Sequence, residues 1–407
     1  MPINDACGQS ARSRELALAA RMDRIAKTYA EYWLARGPDP KFGGFHGFLS
    51  RRGEPGEPSE KGLIQQSRHL WTFATWYARR EPSARIEAIV RNLYRFLIEK
   101  FSTPDGIGFC RKVSRGGVPV DPVHQVYPEA FAVYALSTFG RIFEDPEAIE
   151  RAVRCFKAFD RRAYDSKFGG YDLTGEPPWQ TPGASKETNT HIHVMEALTT
   201  LAEVSSDSLV HQRLREFTEL TLTRHRQPLN YAHLEFYLDY RPFGEPCVSY
   251  GHDMETSWLL LEALRVVGSS SFVEPLSESL SELALALGKA SAEWGYDALN
   301  GGYFNQGVPG GDVTDREKLW WVQFEALPAL VRLHRARLLD DALDRIAGTL
   351  DWIENSQLDH EFGGFYWGVM PNGSLGPYGD RKGDQWKASY HEMRGLMFAA
   401  DWLRNSA

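Results

Sequence analysis

Apolar and polar residues along this chain repeat one pattern. Stretches in which apolar residues return every three or four positions have the period of a helix with one buried face. They predict twelve helices, over 13–36, 61–80, 83–101, 124–141, 145–163, 188–205, 208–224, 252–268, 271–295, 318–337, 339–357 and 385–403. Between them stand glycine turns and short alternating stretches, such as Phe45, Phe48 and Leu49, that suit only small hairpins. Pro82 and Pro146 fall at helix boundaries, where proline is tolerated.

The turns are regularly spaced. Gly-Gly-aromatic occurs in KFGGF from Lys41, KFGGY from Lys167, NGGYF from Asn300 and EFGGF from Glu361, with a weaker copy, PDGIGF, from Pro104. The marker glycines Gly44, Gly106, Gly170, Gly302 and Gly364 are 62, 64, 132 and 62 residues apart. The 132 spans two periods, with a degenerate copy over 230–244. Six two-helix units predict an all-α (α/α)6 barrel, a toroid of six inner and six outer helices with short β-hairpins in the loops. No linker or low-complexity tract interrupts it. Residues 1–407 therefore read as one domain, with 1–12 as a flexible N-terminal tail.

The 407 residues are 43% hydrophobic and 25% charged, and the formal net charge is −8. That charge argues against nucleic acid or an anionic membrane as partner. There is no run of 18 apolar residues to span a bilayer, and the N-terminus lacks the order of a secretion signal. Cys7, Cys110, Cys155 and Cys247 form no CxxC, so neither a zinc ribbon nor a redox motif is indicated. Reduced thiols in a cytoplasmic protein, monomer or homodimer, are the simplest expectation. The 13% aromatic content, with 12 Trp and 17 Tyr, suits a site that packs against sugar rings.

Chemistry concentrates where alternate helices begin: KGLIQQSRHLWTF from Lys61, HQVYPEAF from His124, KETNTHIHVMEAL from Lys186, GHDMETSWLLLEAL from Gly251, EKLWWVQFEAL from Glu317 and KGDQWKASYHEMRGL from Lys382. Polar groups at one end of otherwise apolar helices predict a polar bowl over the barrel. A lone helical histidine is usually structural, and His46, His211, His225, His233, His334 and His360 are read so. His193, His252 and His391 differ, because each opens an inner helix among polar or aromatic neighbours. His252 and Glu255 are i and i+3, so the carboxylate can bind one ring nitrogen. In HxH, His193 is the inward residue and His191 stands behind it; histidines with Glu255 can alternatively hold a metal. Arg68 can hold sugar oxygens or an enolate. Asn189 shares a helix face with His193, and Trp320, Trp321 and Trp386 can serve as sugar platforms or as core.

GxSxG, GxGxxG and the P-loop pattern are absent, which argues against a serine hydrolase and against nucleotide cofactors. Acids such as Asp172, Glu255 and Asp315 keep a glycosidase open. Several imidazoles with an arginine suit proton transfer next to a carbonyl instead. In an open-chain sugar, one imidazole removes the C2 proton, and a second returns it on the other face. Return to C1 gives a ketose, so 2-epimerase and aldose–ketose isomerase both fit.

In these motifs the chain resembles the N-acylglucosamine 2-epimerase superfamily, nearest its cellobiose- and mannose-epimerase and mannose-isomerase branch, from about Tyr32 to Leu403. The resemblance implies an (α/α)6 barrel acting on a small sugar without metal or nucleotide. It implies His252 and His391 as the acid/base pair, His193 as the histidine that assists ring opening or binds the sugar oxygens, and Glu255 as support for His252. It implies Arg68 at the enediolate oxygens, and Asn189, Tyr127, Trp321 and Trp386 as substrate contacts. The chain departs from cellobiose-type members at Gln66-Ser67, at Ser389 and Glu392 around His391, and at Asn305. These departures favour a monosaccharide. The ATP site and acetamido pocket of the N-acylglucosamine branch find no support in the residues.

Overall fold

The computed structural model describes residues 3–174, 183–268, 274–379 and 381–405. Its helices are α1 (Ile3–Arg36), α2 (Leu63–Arg79), α3 (Ala84–Phe101), α4 (Val126–Ile142), α5 (Pro146–Ala163), α6 (Thr188–Ala202), α7 (Ser208–Leu220), α8 (Tyr250–Gly268), α9 (Glu274–Trp294), α10 (Trp320–Arg335), α11 (Ala342–Trp352) and α12 (Tyr390–Arg404). Helices α2, α4, α6, α8, α10 and α12 each pack on the next, and α12 returns to α2. The remaining six stand outside this ring, each against an inner partner. The fold is the (α/α)6 barrel that the periodicity predicts.

Two starts differ from expectation by more than three residues. Helix α1 begins at Ile3, inside the stretch read as a tail, whose first two residues lie outside the described ones, as do 271–273 before α9. Helix α12 begins at Tyr390 instead of 385, because Asp384 first closes a turn by accepting the backbone N–H groups of Trp386 (2.8 Å) and Lys387 (2.9 Å). No helix among the described residues is long and apolar enough to cross a membrane.

Inner and outer helices differ because their surroundings differ. Helix α4 is buried without a break from Val126 to Gly140. Outer helix α5 buries one stripe, Ala148, Ala152, Cys155, Phe156 and Phe159, and faces solvent with its arginines. Outer helices α3, α5 and α7 start at the side-chain caps Ser83, Asp145 and Asp207. Inner helices α2, α4, α6 and α10 are instead entered from the extended residues Gly62, Gln125, Glu187 and Leu319. Most of these follow two-residue strands, such as Lys61–Gly62 on Lys112–Val113 and Lys186–Glu187 on Glu235–Phe236.

A buried clamp holds four of the Gly-Gly turns. Asp39, Asp165, Asp297 and Asp359 each cap their own turn through backbone N–H groups. Each also pairs with a lysine at the entrance of the next inner helix: Lys61 (3.1 Å), Lys186 (2.8 Å), Lys318 (2.7 Å) and Lys382 (2.8 Å). The paired glycines sit at positive φ, as at Gly301 (74°) and Gly302 (73°), a region costly for any residue with a Cβ. We expect Lys318→Met to lower unfolding free energy in urea by about 2–3 kcal/mol, below the full cost of breaking a deeply buried pair because the turn lies near the surface. Adding Asp297→Asn should restore part of the loss.

Candidate functional site

The inner helices share a register that aims the site. Near its start, each of five presents one polar residue outward to hold the hairpin behind it. Gln66 binds the backbone N–H (2.8 Å) and C=O (3.1 Å) of Phe45, and Gln323 does the same for Tyr303 (2.7 and 2.8 Å). His191 Nε2 accepts the Tyr171 N–H (3.1 Å), Asp253 accepts that of Ala232 (3.0 Å), and Glu129 that of Phe109 (3.3 Å). Two residues further on is about 200° around a helix, which turns Arg68, Glu325, His193, Glu255 and Phe131 toward the axis. This register separates the two histidines of HxH: His191 holds its hairpin and stacks on His225, while His193 faces inward.

The nine residues that the resemblance places at the site line one cavity of about 200 Å³: Arg68, Tyr127, Asn189, His193, His252, Glu255, Trp321, Trp386 and His391, joined by Trp320, the third tryptophan of the expected platforms. The rings of His252 and His391 lie 4.7 and 5.8 Å from Trp321, centre to centre. Tyr127 stands edge-on to His193 at 5.3 Å and 6.4 Å from Trp386. Arg68 donates to the Trp386 carbonyl (2.5 Å) and to the Tyr127 hydroxyl (3.1 Å), and lies over Phe131. These hydrogen-bond partners are neutral, so among the described residues no bonded carboxylate cancels its charge.

The expected Glu255–His252 bond is replaced. His252 Nδ1 meets Ser249 Oγ at 2.7 Å, whereas Glu255 takes a hydrogen bond from Arg394, whose buried charge is the stronger partner. Arg394, fully buried, also binds Glu196 and Glu325 (2.6 Å). Through them it reaches two histidines: His193 Nδ1 is 2.9 Å from Glu196, and His391 Nδ1 is 2.8 Å from Glu325. Ser249, Glu196, Glu325, Tyr390 and Arg394 were not singled out from the sequence. Two signals mark some of them: Glu325 occupies the axis-facing register two residues after Gln323, and Glu196 and Arg394 each follow a site histidine by three.

Burial sets the electrostatics. It pulls His252 down to about 4, against the opposing charge of Glu255. It holds His391 well below the usual histidine range, with Arg68 and Arg394 pushing the same way. For Glu196, burial acts upward, but Arg394 and the His193 hydrogen bond outweigh it and hold the acid at about 2. Glu255, Glu325 and His391 converge closely enough to ligate a cation. The Arg394 guanidinium already lies on both carboxylates, so this donor set does not fit a metal. Exhaustive chelation is expected to leave the turnover rate unchanged.

A family model described as N-acylglucosamine 2-epimerase (GlcNAc 2-epimerase) matches residues 43–394. The chain is 30% identical to a cellobiose 2-epimerase of Bacteroides fragilis, over 89% of this chain and 93% of that protein. It is 24% identical to a D-mannose isomerase of Marinomonas mediterranea, over 91% and 93%. The solved cellobiose 2-epimerase of Spirochaeta thermophila superposes with a TM-score of 0.81 at 30% identity, covering 97% of each chain.

Proposed function

From the premise that this chain belongs to the N-acylglucosamine 2-epimerase family, and is an enzyme of the isomerase class, we propose that it is a cofactor-independent sugar 2-epimerase interconverting glucose- and mannose-configured reducing sugars. The observation that carries the proposal is the meeting of His252 and His391 at Trp321 in one cavity with Arg68. One imidazole takes the C2 proton of the open-chain sugar and leaves a cis-enediolate. Arg68 and the Tyr127 hydroxyl beside it stabilise the charge on O1 and O2. The second imidazole returns a proton to the opposite face, which inverts C2. His193 assists ring opening, with its tautomer oriented by Glu196. Trp321, Trp386 and Asn189 position the sugar.

Aldose–ketose isomerisation is the second reading, favoured by the resemblance to a D-mannose isomerase. It uses the same enediolate and differs only in the carbon that is reprotonated. Incubation with mannose in deuterium oxide separates the two. Glucose labelled at C2 supports epimerisation, and fructose supports isomerisation. Unchanged, unlabelled sugar across mannose, glucose, cellobiose, lactose and N-acetylglucosamine removes both.

Gln66, Ser389 and Glu392, where the chain departs, do not line the cavity. Gln66 holds Phe45, Ser389 meets His69, and Glu392 accepts from Tyr29. Asn305 is tied to Asp315. They therefore give no reason to restrict substrate length, and cellobiose stays beside mannose as a substrate.

The base must be neutral to accept a proton. With His252 at about 4 instead of its ordinary 6.5, it is neutral throughout the range above about 5. We expect the acid limb of kcat/KM to fall near pH 4, measured by initial rates, and not near 6.5.

A further inference from the structure

Three carboxylates share one buried guanidinium at the floor of the cavity. Glu325 and Arg394 are 0% exposed, Glu255 1% and Glu196 4%. Arg394 donates to all three acids. If every acid were ionised, the cluster would carry two uncompensated negative charges in a dry interior. Buried groups avoid that state by taking up a proton.

The surroundings decide which acid holds it. Glu196 accepts from Arg394 and from the Tyr390 hydroxyl and also faces His193, so it is the best-stabilised anion. Glu255 borders the cavity. Glu325 is sealed between Arg394, the Trp258 indole, which donates to Oε2 (3.2 Å), and His391. Burial raises it well above the carboxylate range; Arg394 opposes that rise, and Glu255 and Glu196 add to it. Its Oε1 lies 2.8 Å from an imidazole nitrogen able to accept a proton.

We infer that Glu325 is a carboxylic acid in the resting protein, that its proton is donated to His391 Nδ1, and that His391 thereby presents Nε2–H to the cavity. Glu325 is a positioning residue, acting through His391. This rests on the epimerase reading and deepens it, because it explains how His391 can be an acid at all. A cationic imidazolium is opposed there by Arg68 and Arg394, and by charge on His193 or His252. A neutral imidazole alone would have to become an imidazolate.

The pair removes the difficulty. As Nε2–H passes to C2 of the enediolate, the Glu325 proton moves to Nδ1. The product state is a new C2–H bond, a neutral His391 protonated on Nδ1, and an ionised Glu325. The negative charge leaves the sugar for a carboxylate that already accepts from Arg394 and Trp258. His252 carries the proton taken from the sugar and balances it. For the opposite epimer the same steps run backwards from the form with His252 protonated and Glu325 ionised, in which the bare His391 Nε2 is the base; proton exchange with water interconverts the two forms between turnovers.

The test is a long-range proton–nitrogen correlation spectrum of the whole protein labelled with 15N-histidine, at neutral pH. The His391 signals are identified by their loss in His391→Gln. The expected result is a protonated Nε2 and a bare Nδ1. In infrared difference spectra of wild type minus Glu325→Gln, a protonated buried carboxyl band that shifts down in deuterium oxide should be present and lost in the variant. His391 protonated on Nδ1, or on both nitrogens, overturns the inference, as does a carboxyl band that survives Glu325→Gln. If that variant does not fold, the wild-type tautomer decides alone. Neither readout needs turnover. The absence of C2 exchange in every sugar would therefore overturn the reaction separately from the tautomer.

Discussion

His391→Ala and His252→Ala are each expected to lower kcat by at least about a hundredfold, the usual contribution of a positioned acid or base. Both rings line the cavity and share Trp321, so each truncation removes a proton carrier from the place where C2 must sit. Folding should survive, because the lost ring faces the cavity. The two variants should differ in one respect. With one carrier left, proton exchange at C2 of one epimer can persist while net inversion stops. Following deuterium uptake into mannose and glucose separately, alongside product formation, shows which imidazole serves which face. Near-wild-type turnover in either variant would remove the role given to that residue. Arg68 belongs to the same constellation, and Lys cannot supply its fork of donors to Trp386, Tyr127 and the sugar together.

The second large effect is on stability. Arg394→Met leaves Glu196, Glu255 and Glu325 buried without their shared cation. Removing one partner of a buried pair typically costs about 3–5 kcal/mol, and here three acids lose the same partner. We expect at least that loss in urea unfolding. Its pH dependence identifies the cause. Without Arg394 the folded-state acids bind protons more tightly than the unfolded chain does, so the variant's stability falls as pH rises. The deficit against wild type should therefore be smaller near about pH 5 than near about pH 7. A deficit constant with pH would mean that lost packing on Trp258 and Tyr390, not charge, dominates. Arg394→Lys keeps the charge with fewer donors and should fall between the two.

The repeat was legible in the chain because glycine turns and helix periods are local. Gly44, Gly170, Gly302 and Gly364 need left-handed backbone whatever lies around them. The inner helix entrances mattered for the same reason: a site built from six equivalent positions leaves six similar marks. The clamp lysines and the hairpin-holding residues leave marks too, at a fixed offset from each other. They were missed because a buried Lys–Asp pair some twenty residues apart has no period of its own. Arg394 was missed for a deeper reason. It looks like a surface arginine near the end of the chain, and its acid partners lie 69 to 198 residues away.

The amino-acid sequence alone determined the unit, its sixfold count, the ring of helices and the nine side chains that face one cavity. The unit, its count and the ring follow from backbone preference and apolar spacing, which act over a few residues; the nine side chains were marked by the polar motifs at the inner helix starts and by the family resemblance of those motifs. Only the tertiary structure decided which group each histidine meets, that Glu255 belongs to Arg394 and not to His252, and that one guanidinium serves three acids. These depend on distances between side chains brought together by closure of the ring, and on a dryness that no single helix possesses.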